Sequence, residues 1–273
     1  MTWTFTDDVG AFLDAAGAAL AARPAENTLL LTVTATLRDR GPQAYGAEPP
    51  LLGWWRGADG EVGGTLVRTP PYVPLLGTAS PEAVGALADV LPLPGVDADR
   101  DNARALAARW PRHRVDGEHR LYRLGTLVPP SPAPAGRPRT ASAADRALLV
   151  GWIRAFGAET GQAGDRAERI VDERTAHGGL TLWEADGEPV SMAGVSRMIA
   201  DTVRVATVYT PPEHRGRGYA AAVTAEVSRV AREEGAREVL LFTDLANPTS
   251  NGVYARLGYE AVGDRLLITA EPV

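Results

Sequence analysis

The sequence predicts an α/β (α+β) protein with two consecutive domains, each a mixed, mostly antiparallel sheet flanked by helices. In residues 139–273, the spacing of apolar residues predicts elements in the order ααβββαβαβ. Residues 1–128 show a blurred version of that order, without a fixed-period sequence repeat. Between them, residues 129–138 hold five of the 21 prolines and therefore predict a stiff linker.

In the second half, Ser142 followed by Asp145 predicts the capped start of a helix, and a second helix is expected over Asp165–His177. Turn residues and alternating apolar positions then predict strands over 180–184, 189–199 and 203–210, a helix over 218–234, a strand over 238–243, a short helix from Asn247 and a last strand over 265–269.

The first half has weaker signals for its elements. Helices are predicted over 8–22, 80–91 and 102–110, and strands over 51–56, 61–68, 73–76 and 119–127. Residues 26–38 fit either a helix or a strand, and the spacing of Leu30, Val33 and Leu37 favours the helix. Trp54 and Trp55 fall on opposite faces of their strand, so core packing is expected for at least one, while either could line an acceptor pocket.

The composition excludes several kinds of chemistry. All 28 positively charged residues are Arg, and the chain has no Lys and no Cys. A Schiff-base lysine, a catalytic thiol, a Walker-type phosphate loop, a thiolate zinc site and a disulfide framework are therefore all absent. The four His residues show no ligand-pair spacing, so no metal is predicted.

The charge and hydropathy pattern predicts a cytoplasmic globular protein. Hydrophobic residues make up 45% and charged residues 23% of the chain, and no apolar run is long enough for a membrane span. The first residues are polar and acidic, unlike a signal peptide. With a net charge of -6, neither nucleic acid nor a membrane is expected as a partner, and the oligomeric state is left open.

The first chemical motif joins a predicted strand to a predicted helix at Val208–Ala220 and contains Arg215-x-x-Gly218-x-Ala220. Glycines let several backbone N–H groups point at one spot, and the helix N-terminus adds positive charge, which suits a pyrophosphate. The glycine spacing differs from the dinucleotide-binding fingerprint. The alternative is an ordinary glycine-rich turn.

The second motif, Asp244–Tyr254, holds two of the four Asn residues of the chain, Asn247 and Asn251. Asn amides can bond the amide groups of an extended ligand at the strand end. Ser250 and Tyr254 are four residues apart and therefore share a helix face. Asn247 also fits a plain helix cap, and Tyr254 alone could equally be a core aromatic.

With these two motifs about 30 residues apart, residues 139–273 resemble a GCN5-related N-acetyltransferase (GNAT) domain. The resemblance implies acetyl-CoA as the acetyl donor, with its pantetheine arm on the backbone of Val208, Tyr209 and Thr210. It implies that the loop of Arg215, Gly216, Arg217, Gly218, Tyr219 and Ala220 holds the pyrophosphate, that Asn247, Ser250 and Asn251 line the pantetheine side, and that Tyr254 protonates the departing thiolate.

The favoured function is acetyl transfer to the amine of a small molecule by direct attack, and the acidic composition favours a cationic acceptor. Acetylation of a protein or peptide amine and a non-catalytic CoA-binding module are the alternatives. No general base is assigned, since the strand over 203–210 contains no acid.

The first half resembles a GNAT fold that has lost its phosphate loop. At the corresponding position, residues 76–83 contain one Gly, no Arg and an acid, Glu82. This half is therefore expected not to bind CoA. It is expected instead to wall the acceptor pocket or to pack against the second half.

Overall fold

A computed structural model describes residues 1–161 and 166–271, and the chain passes twice through the same order of elements. The first pass comprises β1 (Thr2–Thr6), α1 (Val9–Ala22), α2 (Thr28–Arg40), β2 (Leu51–Arg56), β3 (Val62–Arg68), β4 (Leu75–Ala79), α3 (Pro81–Val90), β5 (Gly95–Asp99), α4 (Arg100–Ala107) and β6 (His113–Leu124). The second pass comprises β7 (Arg137–Thr140), α5 (Arg146–Thr160), α6 (Ala167–Thr175), β8 (Leu180–Ala185), β9 (Glu188–Val195), β10 (Thr202–Tyr209), α7 (Tyr219–Glu233), β11 (Glu238–Asp244), α8 (Pro248–Arg256) and β12 (Tyr259–Ala270). Mixed, mostly antiparallel sheets flanked by helices confirm the predicted fold class.

The chain forms two compact units that do not follow the linear sequence throughout. The first unit contains residues 1–121, 243–247 and the described residues from Ala261 onward. The second contains the described residues of 122–242 together with 248–260. Two segments of the second half of the sequence therefore belong to the first unit, whereas the predicted boundary lies at a single linker over residues 129–138.

The sheet of the first unit is completed by the last strand of the chain. Its strand order is β1-β2-β3-β4-β5-β12-β6, in which β4 and β5 are parallel. Strand β12 lies antiparallel to β5, from Arg265 opposite Asp99 to Thr269 opposite Gly95. Arg265 is 7% exposed, and its guanidinium donates to Asp97 Oδ1 at 2.8 Å and to the carbonyl oxygen of Leu76.

The first unit shows the conformation of residues 28–40 and the positions of the two tryptophans in β2. Residues 28–40 form helix α2, as the apolar spacing favours. Trp55 is buried in a cluster with Trp3, whereas the Trp54 ring lies 6.3 Å from that of Phe12 on the other face of β2. Both tryptophans are therefore packed against the protein interior.

In the second unit, α7 covers one face of the sheet and α5 with α6 covers the other. The strand order is β11-β10-β9-β8-β7, with β10 and β11 parallel. A buried cluster joins α7 to residues such as Val203 and Val205, and a separate one joins α5 and α6 to Leu180 and Leu182. The alternation of side chains along each strand separates these two cores.

Three short strands, β1, β5 and β7, were not predicted. Strand β7 begins at Arg137, inside the segment predicted as a linker, and pairs with β8. The predicted capping box is present, with the backbone N–H of Ser142 donating to Asp145 Oδ2 at 2.7 Å. The start predicted for the next helix, Asp165, lies outside the described residues, and α6 begins at Ala167.

Candidate active site

Strand β10 has an open edge beyond its midpoint. It pairs with β11 only from Thr202 to Val205, so residues 206–209 have no strand partner on that side among the residues that the structure describes. On the β9 side the register shifts between Ala206 and Tyr209, and two residues of β10 face one of β9. This β-bulge contains Thr207 at φ 55°, a left-handed conformation that is rare for a β-branched residue. The backbone of the splayed strand can therefore pair with an extended ligand.

The end of β10 is fixed by hydrogen bonds. Ser191 Oγ donates to the carbonyl oxygen of Tyr209 at 3.0 Å, and Arg215 Nε donates to that of Thr210 at 2.9 Å. Burial, reinforced by the negative charge of Glu159, raises the pKa of Tyr209. Val208 packs against the α7 side of the sheet. The carbonyl oxygens of Tyr209 and Thr210 therefore already accept hydrogen bonds within the protein.

The loop before α7 presents an uninterrupted row of backbone donors. Gly216 and Gly218 adopt φ values of 76° and 84°, which only glycine tolerates easily. The first backbone bond of the helix runs from Ala222 N–H to the Gly218 carbonyl. Within the described part of the chain, the N–H groups of residues 216–221 have no acceptor. Because a helix N-terminus also carries partial positive charge, this loop forms the geometry of an anion site.

The two arginines of the loop differ in their surroundings. Arg215 Nη2 lies 2.7 Å from both carboxylate oxygens of Glu159, and its guanidinium lies 5.8 Å from the centre of the Tyr209 ring. Arg217 is exposed and forms no ion pair with the described residues. The motif predicts both as phosphate ligands; Arg217 is open to that role, whereas Nε and Nη2 of Arg215 already bind Thr210 and Glu159. Tyr219 is 7% exposed, so its side chain belongs to the core.

Helix α8 positions Asn251 and Tyr254. Asn251 Oδ1 accepts a hydrogen bond of 3.0 Å from the Tyr122 hydroxyl. The Tyr254 ring packs edge-on against Tyr259, with ring centres 6.0 Å apart. Its hydroxyl forms no hydrogen bond with the described residues. Burial raises the pKa of Tyr254 to about 12. Tyr254 is therefore a protonated and uncommitted donor at neutral pH.

The other two predicted ligands flank the start of α8. Ser250 lies in its first turn, one helical turn before Tyr254. Asn247 directly precedes the helix, and its backbone N–H donates to the Asp244 carbonyl at 3.1 Å. Asn247 belongs to the first unit by its contacts, and its predicted role remains a prediction.

The corresponding helix start of the first unit is already neutralised. Ser80 Oγ accepts a hydrogen bond from Ala83 N–H at 3.2 Å at the start of α3. Glu82 lies in the first turn, and hydrogen bonds from its own backbone N–H and from Ser80 lower its pKa. A carboxylate therefore occupies the place where an anion would bind.

A second concave surface of the described residues lies away from the glycine loop. A groove of about 700 Å³ lies along the last half of α7, at the opposite end from the glycine loop, and includes Val227 and Glu234. Residues 1–161 and 166–271 contain no cluster of three or more His, Asp or Glu side chains arranged to hold a metal. In the same residues, no helix has both the length and the apolar character needed to cross a bilayer.

Three residues at the site were missed in the sequence. Glu159 lies at the end of α5, far in the chain from its partner Arg215. Arg174 in α6 donates from Nη1 to Thr207 Oγ1 at 2.9 Å. The left-handed backbone of Thr207 has no sequence signal, because threonine normally avoids it. Only the fold brings these residues together.

Comparison with known proteins identifies the second half of the chain. Residues 147–259 match the model of the Acetyltransferase (GNAT) family. No curated protein sequence matches the chain.

Solved structures match over nearly the whole chain. An acetyltransferase from the GNAT family of Colwellia psychrerythraea is 11% identical, with a TM-score of 0.65 and 100% of both chains covered. A Drosophila protein is 13% identical, with a TM-score of 0.66, 98% of this chain and 97% of its own covered. A GCN5-related N-acetyltransferase of Sphaerobacter thermophilus is 18% identical, with a TM-score of 0.62, 99% of this chain and 96% of its own covered. At these identities the likeness shows the fold alone.

Proposed function

Because residues 147–259 form a domain of the GNAT acetyltransferase family, we propose that this protein is an acetyl-CoA-dependent N-acetyltransferase acting on the amine of a small molecule. The observation that carries the proposal is the row of unpaired N–H groups at residues 216–221, placed at a helix N-terminus. Beside it, the open edge of β10 offers backbone groups to an extended chain. A pyrophosphate joined to an amide-containing arm matches this pair of features.

The residues divide into those that hold the donor and those that serve the reaction. The backbone of 216–221 and the exposed Arg217 hold the pyrophosphate, joined by Arg215 when it exchanges Glu159 for phosphate. The open edge of β10 hydrogen-bonds the pantetheine amides, and Asn247, Ser250 and Asn251 line the same arm. Acetyl-CoA supplies an activated acetyl thioester when it is bound.

Val208 and Tyr254 serve the bond exchange. The acceptor amine, which is mostly protonated at neutral pH, first loses a proton to solvent. Its nitrogen then forms a bond to the acetyl carbon as the carbon–sulfur bond breaks, and it releases a second proton to solvent as the amide forms. The N–H of Val208 stabilises the negative charge that develops on the carbonyl oxygen. Tyr254 donates its proton to the sulfur and regains one from solvent. Because burial raises the pKa of Tyr254 to about 12, the hydroxyl carries its proton at neutral pH until it donates it.

The test is a CoA-release assay with a panel of small amines, peptide amines and no acceptor. A thiol reagent reads the product without background, because the protein contains no Cys. The proposal requires amine-dependent release of CoA and recovery of the acetylated small amine. Release of CoA with peptides alone would show that the acceptor is a peptide amine. Binding of acetyl-CoA without release of CoA would show that the protein is a non-catalytic CoA-binding module. Either result would overturn the proposed function.

A further inference from the structure

The side chain of Arg174 packs against the β-bulge of β10. Its guanidinium rests on the backbone of Gly194, where any Cβ would overlap Nη1. The same Nη1 donates to Thr207 Oγ1 at 2.9 Å. Gly194 pairs with Ala206, the residue that precedes the bulge. The absence of a side chain at position 194 therefore creates the space that this guanidinium fills, next to the strand segment proposed to hold the thioester.

The charge of Arg174 is offset only in part, by electrostatic attraction to the neighbouring Glu173. Arg174 forms no ion pair with any residue in 1–161 or 166–271. Burial, followed by repulsion from the nearby Arg204, lowers the pKa of Arg174 to about 10. Taking a guanidinium out of water is unfavourable unless an anion joins it.

Part of the guanidinium stays accessible. Arg174 is only partly buried, and neither Nε nor Nη2 is among the buried polar atoms that lack a partner. Neither atom has an acceptor in the described part of the chain, and both keep some solvent-accessible surface. These two nitrogens form the planar edge of the guanidinium, whose parallel N–H bonds match the two oxygens of a carboxylate.

We infer that Arg174 binds the carboxylate of the acceptor through Nε and Nη2, so that the acceptor is an amino acid or a related small amino carboxylate. This inference rests on the proposed function and names the class of its acceptor. The negative net charge of the chain favours a cationic acceptor only at long range, whereas Arg174 lies at the bulge itself. Thr207, which Arg174 holds, directly precedes Val208, so a bound carboxylate stays close to the reacting groups.

The experiment compares matched acceptors in the full-length protein. Glycine, alanine and phenylalanine are each assayed against their carboxamides, with acetyl-CoA saturating and CoA release as the readout. Because an amino acid and its amide differ in amine basicity, selectivity is taken as the ratio of kcat/KM values, compared between wild type and variant. Removing a charge-assisted bidentate contact is expected to lower this ratio about 10- to 100-fold in Arg174→Met, mainly through KM for the amino acid.

Two control variants separate binding from positioning. Thr207→Val removes the hydroxyl that Arg174 holds but keeps the branched shape, and the selectivity ratio should stay near that of wild type. Arg197→Met removes an exposed arginine after β9 and should leave the ratio unchanged. If Arg174→Met and Thr207→Val both lower turnover equally for amino acids and amides, Arg174 only supports the bulge and the inference is wrong.

The remaining outcomes are distinguishable from failure of the proposed function. Equal acetylation of amino acids and amides by wild type would overturn the inference while leaving the acetyltransferase function standing. Preference for 2-aminoethyl phosphate over every amino acid would overturn the assignment of a carboxylate. Absence of both acetylation and stabilisation by acetyl-CoA would refute the proposed function itself. Thermal unfolding and stabilisation of Arg174→Met by acetyl-CoA show that the variant is folded and binds the donor.

Discussion

Replacing Tyr254 by Phe is expected to reduce turnover without reducing stability. The Tyr254 hydroxyl forms no hydrogen bond with the described residues, so its removal breaks no bond within them. The free energy of unfolding should therefore change by no more than about 0.5 kcal/mol. Loss of a general acid is worth about 10²- to 10⁴-fold, so kcat should fall by that range while the Kd for acetyl-CoA stays within about twofold.

Tyr259→Phe is the matched control. Tyr259 is 3% exposed, and its hydroxyl lies 2.7 Å from Ser228 Oγ, which also donates to the Thr224 carbonyl. Removing this buried bond should lower the free energy of unfolding by about 1 kcal/mol. Turnover should be retained, because Tyr259 has no part in the proposed reaction. Tyr254→Phe is thus expected to lose turnover and keep its stability, whereas Tyr259→Phe is expected to lose stability and keep its turnover.

The pH profile of kcat is a second test of Tyr254 as the general acid. Since the folded-state pKa of Tyr254 is raised to about 12, the hydroxyl keeps its proton throughout the range in which the acceptor amine becomes neutral. The rate should therefore rise with pH and show no alkaline fall near pH 10, where an ordinary tyrosine ionises. CoA release, unfolding by denaturant and acetyl-CoA titration are the assays. Unchanged kcat in Tyr254→Phe would exclude Tyr254 as the acid, and a large loss of stability would show that its hydroxyl has a structural role.

Three further substitutions test other parts of the structure. Gly218→Val places a valine in a left-handed backbone, which should cost about 1–2 kcal/mol of stability and abolish stabilisation by acetyl-CoA. Gly235→Val, at φ 100° at the other end of α7, should cost similar stability but keep the stabilisation by acetyl-CoA. Glu159→Gln frees Arg215 from an exposed ion pair, so calorimetry should show two- to fivefold tighter CoA binding, roughly the worth of such a pair; weaker binding would contradict the exchange. Arg265→Met leaves a carboxylate unpaired and should destabilise the protein by about 3–5 kcal/mol in a denaturant titration; a change below about 1 kcal/mol would refute the buried pair.

The fold was predictable because its signals are local. Apolar spacing, turn residues and caps lie within a few residues of one another, and they place most helices and strands of both halves near their observed positions. The short strands β1, β5 and β7 escaped because four or five residues carry little periodicity. The assignment of β12 to the first unit could not be read, since strand pairing over a long stretch of chain leaves no trace in local spacing.

The backbone conformation of the site could be predicted from the sequence, but the partners of its side chains could not. Gly216 and Gly218 take the left-handed conformations that their residue type suggests, and the loop N–H groups are unpaired. The partner of Arg215 and the surroundings of Arg174 depend on helices that only folding brings to the loop and the bulge. The pKa of Tyr254 depends in the same way on burial, which follows from packing.

Calorimetric titration of the wild-type chain with acetyl-CoA tests the central claim most directly. The unpaired N–H groups of residues 216–221 predict saturable binding, whereas the start of α3, already neutralised by Glu82, predicts none. The expected result is a single site per chain. Absence of binding at millimolar acetyl-CoA, or two equivalent sites per chain, would contradict the account.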